Sequence, residues 1–332
     1  MTMWNRRSFL RLAAGLALPP LPRAGHAGGD PPAPVRVVVG FPPGGPVDIA
    51  ARLICPMLST RLQQPFVVEN LPGDSGNVAT GRVVSAQPDG QTLLLCGPVN
   101  TINTTLFPGL SFSFTRDLAA VAGLYRVPLV VEVHPDVPVT TASQLLAYAR
   151  SRPGQLRVGY AGNGTPQHIG IELFRSMAGI DLTLVPYLGS APALEDLLAG
   201  RLDLMFDPTP SSIDHIRAGR LRPLAVTGTR SIEMLPDVPP MADVVPGYEA
   251  GSWFGISVPH GTPRERIESL NAAANAALVE PATVLRLNRL GATPMTGTPS
   301  EFAAFVQKET EKYARVIAAS KIALMPIPTG SR

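Results

Sequence analysis

Three short stretches of this chain could hold an anion without any charged side chain. Each follows an apolar run with glycine or serine and opens a helical pattern with proline: Gly44-Gly45-Pro46, Gly164-Thr165-Pro166 and Gly189-Ser190-Ala191-Pro192. Proline at the first helical position gives up a hydrogen bond that the helix cannot make there anyway. The next N–H groups stay free and point out of the helix end, where the macrodipole adds partial positive charge. A carboxylate placed there gains hydrogen bonds and field together. Glycine removes the Cβ that would block its approach. The same residues also build ordinary turns, so the corners taken alone allow either reading.

Other residues invite sharper chemistry. Gly73-Asp74-Ser75-Gly76 has the lettering of a serine-protease nucleophile segment. That chemistry needs a His and an Asp partner on a double β-barrel, whereas here the segment lies between a strand pattern and a helix pattern. Ser75 then reads as a hydrogen-bond donor to a ligand or as a loop hydroxyl. Asp48 stands near the start of the first helix, where it either favours the helix dipole or accepts from a ligand amine or hydroxyl, and Asp207, at the end of a strand, has the same two readings. His168, two residues into a helix beside a Gly-rich turn, either touches an anion or packs. The five histidines, His26, His134, His168, His215 and His260, show no metal-ligand spacing. Neither a Walker loop nor a dinucleotide fingerprint is present. No cofactor and no metal are expected.

The elements that must position these groups alternate. Apolar runs at Val35–Phe41, Phe66–Glu69 and Thr92–Cys96 read as strands, and the helical patterns Pro46–Leu62 and Gly76–Ala86 stand between them. Pro56 inside the first helix predicts a kink. The alternation restarts at Leu156–Ala161 and runs through helices Pro166–Ala178, Pro192–Ala199 and Ser211–Ala218 and strands Leu182–Tyr187, Leu202–Phe206 and Leu224–Thr227. A strand-like run, Trp253–Val258, and two helical patterns, Arg264–Leu278 and Pro299–Ala319, close the chain. Such alternation predicts α/β architecture with parallel sheets and right-handed crossovers. Two doubly wound lobes, residues 34–130 plus 252–332 and residues 131–251, would face each other across a cleft, the natural place for a small ligand.

The 332 residues suffice for two such lobes, and the net charge of +3 without a dense basic stripe argues against nucleic acid as a partner. Residues 1–27 read as an export signal: Arg6-Arg7-Ser8-Phe9-Leu10 precede a short apolar run, and small residues lead to Ala27. The paired arginines resemble a twin-arginine signal, with a plain secretory signal as the alternative. The apolar run is shorter than the roughly 20 residues that span a bilayer. A periplasmic location follows. In that oxidising compartment Cys55 and Cys96 are read as two buried thiols, with a disulfide as the alternative.

The stretches FPPGGPVD, GNGTPQHIGIELF, VPYLGSAPALEDLLAGRLDLMFD and GYEAGSWFGISVPHGTP occur in the order and spacing of the Bug family. This likeness, which covers the whole mature chain, resembles the periplasmic substrate-binding proteins of tripartite tricarboxylate transporters. It implies a type II periplasmic-binding-protein-like fold that closes on a small carboxylate and delivers it to membrane subunits, as a monomer and not as an enzyme. The implied ligand set in the first lobe is Phe41, Pro42, Gly44, Gly45 and Asp48, with Ser75, Asn77, Asn100 and Thr101. In the second lobe it is Gly162, Gly164, Thr165, His168, Tyr187, Gly189, Ser190, Ala191 and Asp207. The family commonly has a lysine where Leu188 stands, and if that side chain faces the cleft a second ligand carboxylate is less welcome. A ligand-presenting sensor component and a hydrolase using Ser75 are the alternatives.

Overall fold

The computed structural model describes residues 33–326. The expected export signal, residues 1–27, lies outside the described residues. Among the described residues eleven strands form two sheets: β1 (Val35–Val39), β2 (Phe66–Asn70), β3 (Thr92–Cys96), β4 (Leu118–Val127), β5 (Leu129–Val133), β6 (Arg157–Tyr160), β7 (Thr183–Pro186), β8 (Leu204–Pro208), β9 (Arg222–Val226), β10 (Ser252–Pro259) and β11 (Thr293–Pro294). The first sheet runs β11-β4-β10-β3-β1-β2 and the second β7-β6-β8-β5-β9.

Both sheets are mixed, which corrects the expectation of purely parallel ones. Within the first, β1 is parallel to β2 and β3, but β10 is antiparallel to β3 and to β4. Within the second, β6 is parallel to β7 and β8, but β5 is antiparallel to β8 and β9. The reversed strands include those that carry the chain between sheets. Only Pro128 separates β4 from β5, and β10 brings the chain back. Strand β4, LAAVAGLYRV, escapes a pattern search because alanine and glycine are poor strand formers. Its long antiparallel pairing with β10 holds it extended.

Fully buried strands read as unbroken apolar runs, and β3, β5, β8 and β10 are buried along their whole length. Helices Pro46–Leu62 and Arg264–Leu278 cover one face of the first sheet through Leu53, Ile54, Leu270 and Leu278. Helices Asn77–Val84 and Pro299–Ala319 cover the other through Val83, Phe302 and Val306. The second sheet is sandwiched in the same way, by Leu145 and Phe174 on one face and by Leu197 and Ile213 on the other. The first helix is one element through Pro56. Cys55 and Cys96 are free and buried, and burial pushes each thiol up to about 12.

Candidate functional site

After β1 the chain turns through Gly40–Gly45 into the helix Pro46–Leu62, with Gly45 as its N-cap. Asp48, in the first turn and almost fully buried, clamps this corner from behind. Its Oδ2 accepts from Gly44 N–H at 3.0 Å and from Arg52 Nε at 2.7 Å, while its Oδ1 accepts from Asn70 Nδ2 at 2.9 Å. Burial pushes this carboxyl up, but the bonds from Arg52, Gly44 and Asn70 outweigh it and leave its pKa below the ordinary aspartate value. A carboxylate so occupied holds a loop in shape; it has little left for a ligand. The N–H groups of Val47 and Asp48, in the first helical turn, have no partner inside the helix.

Two further loops meet this corner. Residues Gly73, Asp74, Ser75 and Gly76 take positive φ in succession, 149°, 45°, 54° and 83°, a conformation that strains Asp74 and Ser75. Asn103 steadies it by donating from Nδ2 to Ser75 O at 3.1 Å and to Asn77 Oδ1 at 2.9 Å. Ser75 hydrogen-bonds to no histidine among the described residues, so the nucleophile reading has no base to act on it. A Cβ on Gly40 would lie 2.8 Å from Gly76 Cα, so the two loops touch backbone to backbone. Strand β3 then ends in Gly97-Pro98, and the helix Pro98–Leu106 begins there with Pro98 at its start. This fourth corner repeats the glycine–proline design, and the same signal, read once more after Cys96, would have found it. Asn100 braces it: Oδ1 accepts from Gly97 N–H at 2.9 Å and Nδ2 donates to Thr80 Oγ1 at 2.9 Å. Thr101 donates to Pro98 O at 2.7 Å and is buried away from any opening.

The second lobe offers two helix starts. Thr165 caps the helix Pro166–Ala178, its Oγ1 accepting from His168 N–H and donating to Gly162 O at 2.7 Å. Gly164, at φ +77°, donates to His168 Nδ1 at 3.3 Å. A histidine accepting there is neutral. Burial, with Arg175 nearby, lowers its pKa to about 4. His168 therefore braces the turn, and it stacks on Tyr160. The helix after β7 begins at Ser190 with Gly189 as N-cap, so Pro192 stands third rather than first, a correction to the expected corner. Tyr187 donates its hydroxyl to Asp196, and Leu188 is 77% exposed and does not line the cleft. Asp207 is fully buried and accepts from Gln167 Nε2 at 3.2 Å and from Ser211 and Ser212.

These starts open on one cavity of about 580 Å³, counting its mouth, between the two sheets. Of the expected residues, Phe41, Gly45, Asn100, Thr165 and Ser190 line it. Pro42, Gly44, Asp48, Ser75, Asn77, Thr101, Gly162, Gly164, His168, Tyr187, Gly189, Ala191 and Asp207 do not; they shape the loops around it. Sequence reasoning missed Gly97, Gln167, Ser252 and Phe254, which line it. Ser252 and Phe254 carry no signal until β10 is placed between β3 and β4. Among the described residues, no charged side chain lines it. The walls are otherwise apolar, with Phe41, Val47, Leu94, Val99 and Phe254. The lobes touch at the rim: a Cβ on Gly189 would lie 2.8 Å from Pro42 Cδ, and one on Gly164 would collide with Asn103 Oδ1.

Comparison with known proteins places this architecture. The model of the tripartite tricarboxylate transporter family receptor matches residues 50–322. The chain is 34% identical to Protein BugT of Bordetella pertussis over 291 residues, covering 86% of this chain and 89% of BugT. Among solved structures, R. palustris Rpa4515 with adipate superposes with a TM-score of 0.86 at 37% identity, over 89% of this chain and 99% of that one. MatC from Rhodopseudomonas palustris with bound malate gives a TM-score of 0.81 at 32% identity, over 86% and 99%. The fold is that of the type II periplasmic binding proteins.

Proposed function

The chain belongs to the tripartite tricarboxylate transporter family of periplasmic receptors, which are solute-binding proteins and not enzymes, and on that premise we propose that it captures a small carboxylate between its lobes and delivers it to membrane subunits. One observation carries this reading: four helix starts, at Gly45, Gly97, Thr165 and Gly189, surround a single cavity that no charged side chain lines. Backbone N–H groups and helix dipoles are the positive partners left for an anion. The N–H groups of Val47, Val99, Gln167 and Ser190 and the Ser190 hydroxyl are its donors. The apolar wall suits an aliphatic body, and the two similar structures hold such acids, adipate and malate.

Residues 34–130 with 252–332, and residues 131–251, are on this reading the two bodies that close on the acid. Closure selects, because a buried donor left without an acceptor costs about 1–3 kcal/mol. Export by the twin-arginine route, from Arg6 and Arg7, would bring the folded receptor to the periplasm. The test is calorimetry with adipate and malate, beside mass spectrometry of any acid that co-purifies. A bound acid at a hundred times its Kd adds about 2.7 kcal/mol of stability and raises Tm. A melting curve unmoved by every carboxylate tried would refute the reading.

A further inference from the structure

Strands β5 and β8 bring two acids to one face of the second sheet. The register pairs Val130 with Asp207 and Glu132 with Met205, so Glu132 and Asp207 are diagonal neighbours on the same side. Both are fully buried. Among the described residues their hydrogen-bond partners are Gln167, Ser211 and Ser212, with the Ser190 hydroxyl also drawn to Asp207, and no cation is among them. Two bare carboxylates this close in a dry interior do not both ionise, so the pair keeps a proton.

The donors show where the charge stays. Asp207 receives Gln167, Ser211 and Ser212, whereas Glu132 meets only Ser212 Oγ, at 2.6 Å, and its Oε2 has no partner. Ser212 has one hydroxyl proton. Given to Asp207, it leaves the Ser212 oxygen free to accept from a protonated Glu132. The Gln167 amide has two N–H groups, one on Asp207 Oδ1 at 3.2 Å and one on Ser190 Oγ at 2.7 Å. A carboxylate only accepts, so it fixes which end of the amide faces it. Ser190 Oγ is then already an acceptor, and its own proton is left for Asp207 or for a ligand oxygen. Gln167 and Ser190 both line the cavity.

We propose that Asp207, kept anionic by a neutral Glu132 acting through Ser212, is a positioning residue: it locks the Gln167 amide and so turns the Ser190 hydroxyl proton toward an oxygen of the bound acid. This rests on the carboxylate reading of the cleft, and it replaces direct ligand contact as the role of Asp207. Asp207 also draws the Ser190 hydroxyl, and a bound carboxylate oxygen competes with it for that proton.

Asp207→Asn gives the test an unusual sign. The new amide donates to Gln167, the Gln167 amide turns over, and its oxygen captures the Ser190 proton. Binding of adipate or malate, whichever the wild type holds more tightly, falls about tenfold by calorimetry. Loss of a negative charge beneath an anion site would by relief of Coulomb repulsion alone strengthen binding. Ser190→Ala costs a similar factor in the wild type but almost nothing when added to Asp207→Asn, because both changes remove one bond. Should Asp207→Asn not fold, Gln167→Leu replaces it in the same cycle. An infrared band of a protonated carboxyl at pH 7, absent from Glu132→Gln, marks the neutral acid. Equal or tighter binding by Asp207→Asn, additive losses in the cycle, or no such band overturns the proposal. A wild type that binds no carboxylate sinks the proposed function instead, and the infrared band still decides the Glu132 proton.

Discussion

Asp48 in the first lobe and Asp207 in the second both stand at a strand–helix corner beneath the same cavity, yet a guanidinium meets one and no cation meets the other. Arg52, half exposed, pairs with Asp48 at 2.7 Å and pulls its pKa down against burial. Burial dominates at Asp207 and holds its pKa up, with Ser211, Ser190, Gln167 and Ser212 resisting. The difference teaches what each corner is for. The first lobe spends its charge on the shape of a Gly-Pro loop, so that backbone N–H groups face inward. The second spends neutral donors on the direction of two side chains that reach the cavity.

The largest expected effect attacks what the lobes share. Gly45→Val fills the approach to the first helix start while its φ of −79° suits any residue and the nearest atom to a new Cβ, Pro42 O, is 3.7 Å away. Carboxylate affinity falls more than a hundredfold by calorimetry with Tm nearly unchanged; unchanged affinity would deny the helix end its role.

Acid separates the lobes. His168 is held neutral with a pKa of about 4 against 6.5 in the unfolded chain, so the unfolded state takes the proton first. Stability from this group is whole above pH 6.5 and is lost as pH falls toward 4, by about 3 kcal/mol in total. His168→Gln removes that slope from denaturant titrations between those limits; an unaltered slope would place the acid sensitivity elsewhere. Asp48 gives way only further down. Its lowered pKa contributes stability above the unfolded value of 3.8, lost as pH drops through the folded one. Asp48→Asn at pH 7 costs about 2 kcal/mol, since it breaks charge-assisted bonds to a buried group, and a cost near zero would mean the clamp is idle.

The last effect runs the other way. Burial first, then Asp207, raises Glu132 well above the unfolded value of 4.5, so the folded state holds a proton that the unfolded chain sheds. Stability therefore declines as pH climbs from 4.5, and Glu132→Gln flattens that decline. Parallel melting curves of the two proteins from pH 5 to 8 would show that Glu132 is ionised in the fold.

Much of this was legible in the chain. Gly-Pro pairs after apolar runs mark helix starts because both residues answer local backbone demands. Strand direction was not legible, since Trp253–Val258 looks the same whether β10 runs with or against β3. Nor was the burial of Glu132, a polar letter inside the apolar run of β5 whose partner Ser212 is 80 residues away. Gln167 likewise meets Asp207 across 40 residues. Long-range partners decide such side chains, and spacing cannot show them. The third corner failed locally, because Gly189, at φ 155°, lets the helix begin at Ser190 before its proline is reached.

A crystal structure of the adipate or malate complex tests the central claim most directly. It should place carboxylate oxygens about 3 Å from the N–H groups of Val47, Val99, Gln167 or Ser190, with no arginine or lysine in contact. An acid held instead by a cationic side chain, with those N–H groups facing water or protein, would contradict it.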